Sequence, residues 1–212
     1  MLCGLLGTAA LVAYYSAPFT WMPLPPPNAT PDQVLAFGSQ YHNAILWDTW
    51  LQAIGSLLSV VFALALVDLA GAAQRLAGRL VLLAGGVILV LSLMEGTFAL
   101  GAVQAGANGH PQAALTCFDL TNTFIHVFLI APSLFLMLGA ALWGTRLLPA
   151  AFAYVALGLG IAFQVLGVVG LFNSAALLVV IFVLIAQELW NVAAAIVLLA
   201  RPLQPAVQAE AA

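Results

Sequence analysis

Apolar residues run along this chain in six long stretches, at about 2–21, 43–70, 80–105, 117–143, 149–171 and 174–200, with turn-forming and polar residues gathered between them. Each stretch reaches the roughly 20 residues that a helix needs to cross about 30 Å of hydrocarbon. In lipid the backbone must satisfy its own hydrogen bonds, and continuous apolar runs do so as helices rather than as barrel strands. The pattern predicts an all-α, polytopic membrane helical bundle of six transmembrane helices over 1–200, followed by a disordered tail at 201–212.

Two of the segments need further argument. The first run could be a signal peptide, but it has no basic leader, and Pro18 follows the one small-residue cleavage candidate, Tyr15-Ser16-Ala17. It is read as an uncleaved span. The 22–42 connection begins with Met22-Pro23-Leu24-Pro25-Pro26-Pro27, which should run extended as polyproline. Thr30-Pro31-Asp32-Gln33 then reads as a helix start, with Thr at the N-cap, Pro at N1 and Gln at N3. This leaves two alternatives, a short helix lying over the outer surface as a lid, or an ordinary structured loop.

Composition sharpens the class. With 65% hydrophobic and 5% charged residues, the chain lacks the roughly 25% charge that covers a soluble domain. The formal net charge of −3 offers no basic patch, so nucleic acid is not expected as a partner. The four cations fix the orientation. Arg75 and Arg79 fall between spans two and three, Arg146 between four and five, and Arg201 just after six. The opposite connections carry no Arg or Lys, so the arginine side, with both termini, is expected in the cytoplasm of a multi-pass protein of the inner (plasma) membrane. Cys3 and Cys117 then lie near opposite faces, and no disulfide is expected between them.

An ionisable side chain at the bilayer centre costs about 2.5–3.5 kcal/mol on insertion scales, so each one calls for a reason. The third stretch carries Glu95 with Ser92 one turn before it. The fourth carries Asp119, Asn122, Thr123 and His126, whose i, i+3, i+4, i+7 spacing shares one helical face. The sixth carries Gln187, Glu188 and Asn191 beside Trp190, the second carries Asp48 and Gln52, and the fifth carries Gln164. Facing these groups inward would hide them from lipid and make a polar pocket opening outward. Glu95, Glu188 and His126 are expected to converge within about one water of each other. Plainer roles exist. Asp119 could complete a capping box with Thr116 at a helix start, Asp48 could sit in the headgroup zone beside Trp47 and Trp50, and Gln164 and Asn191 could join helices. No Glu-x-x-His or His-x-x-x-His pair is present, so neither a metal nor another cofactor is expected.

Three short motifs carry a resemblance. Met94-Glu95-Gly96, Arg146-Leu147-Leu148-Pro149 and Gln187-Glu188-Leu189-Trp190 resemble an uncharacterised bacterial family of small six-helix membrane proteins, over roughly residues 80–200. The resemblance implies six spans and importance for Glu95 and Glu188, but no reaction. The polar face of the fourth stretch and the proline-rich loop depart from the family pattern.

The chemistry allows three functions. Carboxyls, a histidine and amides without a buried Arg or Lys can form an acid–base device or a hydrogen-bonding site for a lipophilic molecule. As an isomerase or cyclase, the chain would use Glu95 or Glu188 as acid and His126 as relay. Asp48, Asp119, Asn122, Thr123, Gln187 and Asn191 would hold the ligand, and Trp190 would shelter a cation. As an accessory subunit or lipid-binding protein, it would use the same groups to glue helices, with a membrane-protein partner or a second copy beside it. A small transporter is the third reading, against which stands the lack of an internal repeat.

Overall fold

A computed structural model describes residues 1–20, 22, 25–26, 28–173 and 176–200, all helical or in short connections. The tail at 201–212 and half of the proline run at 22–27 lie outside the described residues. The helices are α1 (Leu2–Thr20), α2 (Pro31–Gln40), α3 (His42–Leu69), α4 (Leu76–Ala107), α5 (Pro111–Ile130), α6 (Leu134–Leu142), α7 (Ala150–Phe172) and α8 (Ala176–Ala200). Five segments are long and apolar enough to cross a bilayer: α3, α4, α5 and α6 taken as one, α7, and α8 from Val179 onward. The apolar N-terminal helix is shorter. Large apolar side chains such as Leu83, Val90, Ile161, Phe182 and Leu199 stand exposed on the outside of the bundle. Water would penalise that surface, and lipid tails would not, so these helices contact a bilayer.

Two departures from the sequence pattern have local causes. Proline breaks the fourth stretch: Pro132 has no N–H and forces the preceding Ala131 out of the helical region, to φ −61°, ψ 153°. The chain resumes as α6 with Ser133 at its N-cap, whose Oγ accepts from Leu136 N at 3.3 Å. Gln164 of α7 accepts the Ser133 N–H at 3.2 Å, so a side chain supplies what the broken helix lost. The second departure is at the start of the same stretch. α5 begins at Pro111, two turns earlier than the apolar run suggests. Asp119 is therefore in mid-helix, and Thr116 donates to Gln112 O within α5, so the two do not form a capping box.

Sequence expectation is met at α2. Thr30 Oγ1 accepts from Gln33 N at 3.3 Å and Gln33 Oε1 accepts from Thr30 N at 2.8 Å, the reciprocal pair of a capping box. Pro31 at N1 loses no bond there. Of the two alternatives the helix is the one formed, and it packs across the ends of α4 and α5.

Close packing comes from small residues. α1 runs antiparallel to α3, with Gly4 against Phe62, Gly7 against Ser59, and Gly55 against Leu11; an added Cβ would come within 2.7–3.0 Å of each. α6 meets α7 through Gly139, and Gly160 lies directly on the Leu136 backbone. Gly158 and Gly86, by contrast, have nothing within 4 Å of an added Cβ. The largest apolar cluster, including Phe62, Leu66, Val81, Leu138 and Trp190, fills the end of the bundle that holds the α3–α4 and α6–α7 turns. Arg75 and Arg146 are exposed on those turns, and Arg79 is exposed in the first turn of α4. At the other end Trp47 and Trp50 face outward, edge to face at 5.8 Å, as residues of a headgroup belt do. From Trp50 to Asp68 along α3 is about 27 Å at 1.5 Å per residue, close to the thickness of a hydrocarbon core.

Gly160→Val should cost about 1–3 kcal/mol, because the new side chain has no route away from the Leu136 backbone. Gly158→Ala should be neutral or stabilise by up to about 1 kcal/mol. Unfolding in detergent micelles measures both, and equal losses would contradict the packing of α6 on α7.

Candidate functional site

Helix α3 carries Gln52, Ser56 and Ser59 on one buried face, at i, i+4 and i+7, and this stripe meets polar groups of α4 and α8, whose carboxyls also take donors from α1. At its upper end Gln52 Nε2 donates to Glu95 Oε2 at 2.8 Å, and Tyr14 Oη donates to Glu95 Oε1 at 3.0 Å. One turn deeper, Ser56 and Ser92 share a hydrogen bond at 3.3 Å. At the lower end Glu188 Oε2 accepts from Thr8 at 3.1 Å, Ser59 at 3.3 Å and Asn191 at 3.1 Å. Glu95 and Glu188 are both buried, at 8% and 5% exposure, and each is wrapped in donors from other segments.

These are two clusters and not one. Thr8 and Tyr14 on α1, and Gln52 and Ser59 on α3, separate the two carboxyls by six or seven residues, about 9–10 Å of helical rise. His126 belongs to neither: its Nδ1 pairs with Asn122 O in its own helix at 2.8 Å. The expected convergence of Glu95, Glu188 and His126 is therefore not found. The reason is the register of α3, whose polar stripe spans almost two turns and gives each carboxyl its own donors.

Above the upper cluster lies a cavity of about 230 Å³. Its floor is Glu95, Gln52, Ser56 and Ser92, its walls include Tyr14, Tyr15, Phe118, Phe128 and Leu184, and Val34, Phe37 and Gly38 of α2 border it from the connection. Asp48 reaches the same space, and its Oδ1 is buried without a hydrogen-bond donor among the described residues. Asp48 thus points inward while its neighbours Trp47 and Trp50 face out.

The remaining sequence candidates divide. Asn122 lines the cavity. Asp119 and Thr123 are exposed on the outside of the bundle. The face that α5 turns inward is Phe118, Thr121, Asn122, Ile125 and Leu129, one residue off the expected polar face, because its large apolar side chains fill the wall. Gln187 is buried with its Nε2 3.5 Å from Leu159 O, and Trp190 donates to Phe152 O at 3.0 Å between the rings of Phe135 and Phe152. Both pack in the body of the bundle and do not border the cavity. Sequence reasoning passed over Thr8, Tyr14, Tyr15, Ser56 and Ser59. The spacing of Gln52, Ser56 and Ser59 was a usable signal, whereas nothing in α1 marks Tyr14 as a partner of Glu95.

No family model, curated protein or solved structure matches the chain.

Glu188→Ala would strand the donors of Thr8, Ser59 and Asn191 in the bundle interior. At about 0.6–2 kcal/mol for each of the two interhelical bonds, from Thr8 and Ser59, it should lose about 1–4 kcal/mol of stability. Glu188→Gln keeps an acceptor in place and should cost under about 1 kcal/mol. Thermal unfolding of the purified protein separates the two, and similar values for Ala and Gln would refute a clamping role.

Proposed function

We propose that this chain is a six-span protein of the plasma membrane, with both termini cytoplasmic, that holds a lipophilic small molecule in an outward-opening cavity beneath α2. The observation that carries the reading is the cavity itself, with mainly apolar walls and a small group of polar side chains gathered at its floor. That combination suits a ligand with an apolar body and one polar end. α1 supports the sixth crossing, since it lies antiparallel along α3 from Gly4 to Tyr14 and gives up hydrogen bonds to both buried carboxyls. The arginine turns at the opposite end from the cavity support its outward orientation. Packed apolar side chains at the arginine end favour a holding site over a transport route.

A second reading has one observation in its favour. Asp48 and Glu95 border the same cavity, so a proton could pass between a carboxyl and a bound alkene or ketone, as an isomerase or cyclase requires. Glu95, with Tyr14 behind it, would be the acid in that case. The clamp around Glu188 favours the role of helix cement for that residue, as in a non-catalytic subunit.

Ala99 borders the cavity, and Ala99→Phe should fill it. The variant should keep its fold and lose at least about tenfold in affinity for a fluorescent lipophilic tracer, a difference of roughly 1.4 kcal/mol. Undiminished tracer binding would exclude the cavity as the site. The topology is tested separately, in a chain with Cys3 and Cys117 replaced by Ser. A cysteine at Asn108 should react with an impermeant thiol reagent added outside the cell, and one at Gln74 should not. Outside labelling at Gln74 would overturn the orientation.

A further inference from the structure

The polar floor of the cavity is one-sided in its chemistry. It contains two carboxyls, and among the described residues no Arg, Lys or His borders the cavity. The oxygens of Glu95 each take one donor from the protein, from Tyr14 and Gln52. Asp48 differs, because its Oδ1 is buried and meets no donor among the described residues. A buried acceptor without a donor is costly, and a ligand that brings the donor recovers that cost on binding. Aromatic rings line the same space, among them Tyr15, Phe37, Phe118 and Phe128, and their faces attract a cation.

Resting on the cavity as the binding site, we infer that the ligand is a lipophilic amine, whose ammonium group donates to Asp48 Oδ1 and faces Glu95, with its apolar body against the aromatic walls. An ammonium supplies both what Asp48 lacks and the positive charge that the carboxyls do not find among the described residues lining the cavity. A carboxylate or phosphate head would share the cavity with two carboxyls and no cation among the described lining residues, and be repelled. An alcohol would satisfy the donor requirement but not the charge.

The test uses three long-chain diazirine photoprobes that differ only in the head: ammonium, hydroxyl or carboxylate. Each is crosslinked to the purified full-length protein in detergent, and labelled peptides are mapped by mass spectrometry. The ammonium probe should label the cavity-lining parts of α3 and α4 at least about tenfold more than the carboxylate probe, and clearly more than the hydroxyl probe. Asp48→Asn should abolish the preference, and Asp119→Asn, which alters a carboxyl outside the cavity, should retain it. If the hydroxyl or carboxylate probe labels these segments as well as the ammonium does, the head-group inference falls and the cavity reading stands. If no probe labels them, both fall. Should Asp48→Asn fail to fold, the comparison of heads on the unaltered protein still decides.

Discussion

Lipid tails are as apolar as leucine, so these helices gain little from burying their apolar faces against each other. What remains is close packing at small residues and hydrogen bonding between helices, and the hydrogen bonding centres on α3. Gly55 receives Leu11, Gly4 and Gly7 of α1 close over Phe62 and Ser59, and the stripe of Gln52, Ser56 and Ser59 meets Glu95, Ser92 and Glu188. Glu188 Oε2 alone joins α1, α3 and α8, which do not follow one another in sequence.

The two ends of the bundle are built differently for the same reason. Toward the arginine turns the facing side chains are apolar, and Phe62, Leu66, Val81 and Leu138 are almost fully buried. Toward the other end α4 and α5 continue as a hairpin across which α2 lies, and the space beneath α2 is bordered by the side chains that carry the polar floor. Both oxygens of Glu95 accept hydrogen bonds, whereas Asp48 Oδ1 meets no donor among the described residues. The break at Pro132 lies deeper in the same two-helix segment. Gln164 repairs it with one bond, so this polar residue is spent on structure and not on the cavity.

The helical class and the approximate course of the long apolar helices were legible in the sequence, because hydrophobic run length is a local property, whereas the starts of α4 and α5 and the break at Pro132 were not. The capped start of α2 was legible for a similar reason: Thr30, Pro31 and Gln33 interact within one turn. The sequence likewise marked Glu95 and Glu188, since a carboxyl inside an apolar run needs donors wherever the fold supplies them. Tertiary structure decided which donors. Whether Glu95 meets Glu188 and His126, or meets Tyr14 and Gln52, depends on the rotation of each helix about its own axis and on its axial shift against α3. Neither quantity leaves a trace in hydrophobic periodicity when all sides of a helix are apolar. A rotation of one residue, about 100°, placed Asp119 and Thr123 outside the bundle and left Asn122 at the cavity. The same freedom turned Asp48 inward between two outward tryptophans, a position that only packing against α1 and α4 could fix.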